Sequence, residues 1–152
     1  MSDASQPDYP DLQQHLAELD RRGLLQRIEH PVDKDAELHP LVRWQFVGGM
    51  QEAERKAFLF TNIVNAQGRR YSMDVVVGAL AANREIYSVG MGAPVQDIQK
   101  RWDHAIQNPI APKLVQKAVC QEVVWKGDDL LGEGRGLDML PIPVSTPGFD
   151  SA

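Results

Sequence analysis

The sequence predicts an α/β fold of the α+β kind, a small sheet with flanking helices. Three observations carry that expectation. Leu12, Leu16 and Leu19 fall at i, i+4 and i+7, the spacing of one helical face. Ala57 to Ile63 and Tyr71 to Val77 are short apolar runs rich in aromatic and β-branched residues, which suit buried strands. Helix-like and strand-like segments also alternate along the chain, instead of being gathered into separate halves.

In order, residues 1–9 read as a polar disordered tail. The first helix follows, with Asp8 or Asp11 and Pro10 at its start, Arg21 and Arg22 in its last turn and Gly23 beyond. Leu24, Leu25 and Ile28 predict a short strand, closed by His30-Pro31. Asp33 to Val47 reads as a second helix that partly buries Leu38, Leu41, Val42, Trp44 and Phe46 and stops at Gly48-Gly49. The two apolar runs then form strands around a polar turn at Asn65 to Gly68. Ala79 to Val89 predicts a helix broken by Gly90 and Gly92, and Val95 to Ile106 another, bounded by Pro94 and Asn108-Pro109. Lys113 to Ala118 adds a short turn, and Val119 to Lys126 a strand by its β-branched and aromatic content. Domain boundaries follow: a tail over 1–9, an α/β domain over 10–126, and a loop with an extended Pro-rich linker over 127–152 that begins the next domain. Leu12, Leu16, Leu19, Phe58, Phe60 and Val76 should be buried, and Met139, Leu140, Ile142 and Phe149 exposed as surface awaiting a partner.

Composition bounds the function. A chain of 152 residues can bury a substantial core, roughly two thirds of its unfolded surface. A net charge of −5 offers no basic field for nucleic acid or an anionic membrane. A single cysteine, Cys120, excludes an intrachain disulfide and fits a reducing compartment. No apolar run approaches the roughly 20 residues that span a bilayer, and residues 1–11 hold no signal core. A cytoplasmic protein is the expectation.

The candidate constellations are weak on chemical grounds. Gly132 to Gly136 resembles a phosphate-cradling loop, but such a loop needs a helix behind it, and Pro141 and Pro143 forbid one. Gly90-Met91-Gly92 ends a helix instead of opening one. His15, His30, His39 and His104 lack metal-ligand spacing and read as surface or capping residues. Cys120 reads as a small hydrophobe in a strand. Asp128-Asp129 reads as a solvated turn. Tyr87, Trp102 and Trp125 are scattered and make no stacking platform. No catalytic, cofactor-binding or metal residue is assigned.

Several ordered segments carry a family resemblance. Leu137-Asp138-Met139-Leu140-Pro141-Ile142-Pro143 with Thr146-Pro147-Gly148-Phe149-Asp150 resembles the "DLLPIP…PGD" linker of UbiD-family decarboxylases. Asp11-Leu12 to Leu25 resembles that family's opening helix, Ile28 to Asp33 its "I…PVD", Phe58 to Ile63 its "LLFENV", and Cys120 to Val124 its "C.EVV". The resemblance implies a carboxy-lyase that decarboxylates, or reversibly carboxylates, an aromatic or α,β-unsaturated acid. It implies prenylated FMN as cofactor, supplied by a flavin prenyltransferase, with a divalent metal (manganese or magnesium) and potassium at the cofactor phosphate. The family's cofactor-binding and catalytic residues lie beyond the proline linker, in a flavin-binding split barrel. A downstream barrel domain or subunit is therefore the implied partner, in a homo-oligomer when complete, and these 152 residues alone should bind no cofactor. A stand-alone, non-catalytic interaction module is the alternative.

Overall fold

A computed structural model of the chain describes residues 11–112, 114–118 and 121–145. The expected tail over 1–9, Lys113, Val119, Cys120 and the segment from Thr146 onward lie outside the described residues.

Helix α1 spans Leu12–Arg21, and Asp11 caps it by accepting a hydrogen bond from the Gln14 amide at 2.9 Å. It stops because Gly23 takes φ 69°, which lets the Leu24 amide reach back to the Leu19 carbonyl at 2.8 Å. Its inward face is His15, Leu16 and Leu19. Leu12 lies on the same side but is 50% exposed, against the expectation, because the core stops one turn short of it.

Strand β1 (Leu25–Ile28) runs parallel to β3 (Ala57–Phe60), which pairs antiparallel with β5 (Val75–Val77), so β3 is the centre of a three-stranded mixed sheet. A second parallel pair, β2 (Val32–Asp33) with β4 (Ile63–Val64), continues the same direction. The break between the two pairs falls at Pro31, which has no amide hydrogen to donate to the ladder. Around it, Thr61 N bonds Ile28 O at 3.1 Å and Val32 N bonds Asn62 O at 3.0 Å. The apolar run from Ala57 to Ile63 is thus two strands. Tyr71 to Asp74 precede β5 without joining it.

The parallel β1–β3 connection requires a crossover, and α2 (Leu38–Val47) supplies it. The helix begins later than expected because Asp33 belongs to β2. Pro40 sits in its first turn, where an amide hydrogen has no intrahelical partner. Its buried side is Leu38, Val42 and Gln45, whereas Leu41, Trp44 and Phe46 are 42%, 59% and 43% exposed. The five apolar residues expected to be partly buried thus divide: one helical face, with Leu38 and Val42, reaches the sheet, and Leu41, Trp44 and Phe46 stay largely exposed.

Helix α3 (Arg84–Met91) also starts later than expected. Gly78 turns at φ 77° with the Ala82 methyl 3.1 Å from where its Cβ would stand. Asn83 then caps the helix, accepting from the Ile86 amide at 2.8 Å and donating to the Arg55 carbonyl at 2.6 Å. Helix α4 (Ile98–Gln107) follows a short 3-10 turn at Val95–Asp97. Alternation along β3 divides the core. Leu59 faces Leu16, Leu19 and Ile86 from α1 and α3, and Phe60 faces Leu38 and Val42 from α2. Of the residues expected inside, Leu16, Leu19 and Phe60 are buried, and Phe58 and Val76 are half-buried.

The strand expected over Val119 to Lys126 is not formed among its described residues. Val123, Val124 and Trp125 are 67%, 53% and 40% exposed. β-branched composition makes a strand only where a neighbour accepts its ladder, and none pairs with 121–126. Short 3-10 turns at Gly127–Leu131 and Leu137–Met139 punctuate the segment beyond, and residues 141–144 belong to no helix or strand, with a tight turn at Pro141. Leu140 and Ile142 are exposed as expected, Met139 is half-buried, and Phe149 lies outside the described residues.

Candidate functional site

An open groove of about 1000 Å³ lies between α1 and α3, with Pro94 and Val95 at one end. Helical spacing puts Gln14, Glu18, Arg21 and Arg22 on its α1 wall, with Glu85 and Ser88 opposite. Arg21 holds the Glu18 carboxylate from Nε (2.8 Å) and Nη2 (2.7 Å), and Arg22 holds it from Nε (2.6 Å). The Arg21 hydrogen bonds, then that of Arg22, pull the Glu18 carboxyl from 4.5 down to about 2. Glu18 in turn raises the Arg21 guanidinium above its ordinary value. A carboxylate held so low is a poor proton carrier near neutrality. No histidine, cysteine or lysine lines the groove, so it can attract charge but offers no paired nucleophile and base. A smaller hollow of about 410 Å³ adjoins it, lined by Asp97, Lys100 and His104.

The sequence candidates are dispersed. Asp128 and Asp129 sit in the exposed 3-10 turn, where Asp129 is 3.9 Å from Arg135. Gly132 to Gly136 leads into another 3-10 turn and then irregular chain, not into an α-helix. Among the described residues, no three His, Cys, Asp or Glu side chains come together to hold a metal. His30 and His104 are exposed and His39 is half-buried.

His15 corrects its surface reading. It is 4% exposed, with Nε2 2.7 Å from the Ala79 carbonyl oxygen. A carbonyl cannot donate, so Nε2 carries the proton. Tyr87 and Trp102 are not scattered either. The Trp102 indole N–H donates to the Tyr87 hydroxyl and ties α4 to α3. Sequence reasoning also missed Gln45, whose role needs the tertiary structure. It missed Arg55 too, whose guanidinium lies 5.1 Å from the Phe46 ring centre while its buried Nε has no hydrogen-bond partner.

Much apolar surface faces outward. Leu41, Trp44 and Val47 do so on α2, and Trp102 and Ile106 on α4. Ile110, Leu114 and Val115 extend that surface beyond α4. No helix among the described residues is long and apolar enough to cross a membrane.

Comparison with known proteins bears on these surfaces. Residues 16–106 match the family described as the 3-octaprenyl-4-hydroxybenzoate carboxy-lyase N-terminal domain. The chain belongs to this UbiD family. The matched span runs from α1 to α4 and holds both halves of the core. Among solved structures, a 3,4-dihydroxybenzoic acid decarboxylase from Enterobacter cloacae, in its apo form, is 29% identical with a TM-score of 0.67. The UbiD-class enzyme HmfF from Pelotomaculum thermopropionicum, in an evolved dimeric form in complex with prFMN, is 25% identical with a TM-score of 0.61. In both cases the likeness covers 90% of this chain and 28% of the other. The chain thus spans little more than a quarter of the UbiD-class enzymes it matches.

Proposed function

We propose that this chain is the N-terminal part of a UbiD-type carboxy-lyase acting on an aromatic or α,β-unsaturated acid. Its role is to pack against a flavin-binding barrel, as a further domain or as a separate subunit, and to support the reaction site from outside. The observation that carries the reading is the near-complete likeness of this chain to a minor share of two UbiD-class enzymes. The outward apolar residues of α2 and α4 support it, because surface of that kind is ordinarily covered.

Prenylated FMN, with a divalent metal (manganese or magnesium) and potassium at its phosphate, would supply the electron sink that decarboxylation needs in the complete enzyme. A flavin prenyltransferase would provide the cofactor. The described residues do not fit that group. The one Gly-rich loop lacks a helix N-terminus, and its Arg135 faces Asp129. No catalytic step is therefore assigned to a residue of this chain, and the reaction belongs to the barrel. A cytoplasmic homo-oligomer is the proposed setting.

The gene itself tests the reading. An open frame running past codon 152 into a barrel-coding sequence, or a neighbouring gene encoding that barrel, is the expected result. A native stop with no barrel gene in the genome would overturn it in favour of a stand-alone interaction module.

A further inference from the structure

The segment after Gly136 is Pro-rich and forms no strand among its described residues, yet two hydrogen bonds, one on each side of a buried proline, hold it against the corner where β2 and β4 meet. The Asp138 carboxylate receives a hydrogen bond from Arg69 Nη1 at 3.2 Å. Pro141 is buried, and the Ile142 amide bonds the Leu140 carbonyl at 2.8 Å, a tight turn centred on that proline. The Val144 amide then donates to the Lys34 carbonyl at 3.1 Å, just past the end of β2.

Both residues that receive the segment meet at one side chain. The Arg69 guanidinium lies 5.3 Å and the Lys34 ammonium 5.9 Å from the centre of the Tyr71 ring. Lys34 is fixed further, because its ammonium pairs with Asp35 at 2.5 Å while Asp35 accepts the Ala66 amide at 3.2 Å. The Lys34 amide bonds the Val64 carbonyl at 2.9 Å. Tyr71 itself packs against the core formed by Phe60 and Ile63. The receiving surface is therefore built into the domain.

The geometry points to a strap: residues 138–144 are clamped to the domain by Arg69, Lys34 and the Tyr71 ring between them, so that the linker and the α/β core move as one body. This holds whatever chemistry the complete enzyme performs. A partner that follows Ser145 is then held in a set orientation by the strap, where a flexible tether would let it roam. An exposed ion pair contributes little alone, typically under about 1 kcal/mol. The clamp therefore depends on Tyr71 beneath both contacts: its ring seats the Arg69 guanidinium that holds Asp138, and it packs against Val32 and Ile63 under the β2–β4 corner that presents the Lys34 carbonyl.

Amide hydrogen exchange on the 152-residue chain tests this. The Val144 amide should exchange at least ~10-fold more slowly than in an unstructured peptide. Tyr71→Ala should lose most of that protection while the Leu59 amide, in the central strand, keeps its own, and Tyr71→Phe should behave as the unmodified chain because the ring face remains. Asp138→Asn, at an exposed position that cannot unfold the core, should speed Val144 exchange by about 2-fold. Exchange of Val144 at the unstructured rate in the unmodified chain would overturn the strap. So would protection that survives Tyr71→Ala, or is untouched by Asp138→Asn.

Discussion

The side-chain amide of Gln45 satisfies both backbone groups of Lys56: its Nε2 donates to the Lys56 carbonyl at 3.1 Å, and its Oε1 accepts from the Lys56 amide at 3.0 Å. Gln45 is 1% exposed, so this pair replaces a strand neighbour just before β3 begins. It couples α2 to the central strand through hydrogen bonds, whereas Trp44 and Phe46, the side chains the sequence pattern points to, stay largely exposed. Gln45→Ala should cost about 2–4 kcal/mol, since two backbone groups lose their partners beside the core. Urea denaturation followed by circular dichroism checks it; a loss below ~0.5 kcal/mol would mean that water replaces the amide freely.

His15 performs the corresponding task for α1, joining it to the turn before α3 through Ala79. His15→Phe keeps the bulk but deprives the Ala79 carbonyl of its donor, at an expected cost of about 1–3 kcal/mol. Nitrogen chemical shifts of the imidazole should show the proton on Nε2. A proton on Nδ1 alone would contradict the hydrogen bond assigned here.

Core and overhang should separate cleanly. Phe60 is fully buried and Leu12 is half exposed. Phe60→Ala should cost about 3–5 kcal/mol. Leu12→Ala, although it belongs to the same apolar periodicity that announces α1, should stay within about 1 kcal/mol. Comparable losses at the two positions would show that something covers the first turn of α1.

These residues also show how far the sequence reaches. Leu16 and Leu19 were legible because helical periodicity states which face is inward, and Ala57 to Ile63 because a short aromatic and β-branched run has few other uses. The inward place of Gln45 was not legible: its partner is eleven residues away and is a backbone group, which no side-chain pattern encodes. The strand expected at Val123 and Val124 fails for a related reason, since pairing is decided by a neighbour and not by the segment. Of the site, the sequence carried the family resemblance through ordered segments. The groove of Glu18, Arg21 and Arg22 was invisible because its other wall comes from α3.

Acid should reveal the Glu18 cluster. Its carboxyl is lowered in the folded chain, so its stabilising contribution is complete above the ordinary 4.5 and is lost as pH falls from there through about 2. Asp35 is shifted the same way, by the Lys34 hydrogen bond first. Carbon-detected titration should find the Glu18 carboxylate still ionised at pH 3, and Glu18→Gln should flatten the acid limb of the stability curve. A midpoint near 4.5 would mean that Arg21 and Arg22 do not hold it in solution.

The central proposal is that this chain is a supporting part of an enzyme whose chemistry lies in a flavin-binding barrel. Its most direct test is a comparison of two samples, each produced with an active flavin prenyltransferase and supplied with manganese and potassium. One is the 152-residue chain alone. The other is the same chain joined to, or co-purified with, its downstream barrel. Flavin absorbance is read on both, with carbon dioxide release from hydroxybenzoate-type and cinnamate-type acids. The account predicts no stoichiometric flavin and no release from the chain alone, and both from the pair. Near-stoichiometric flavin or substrate turnover in the chain by itself would contradict it.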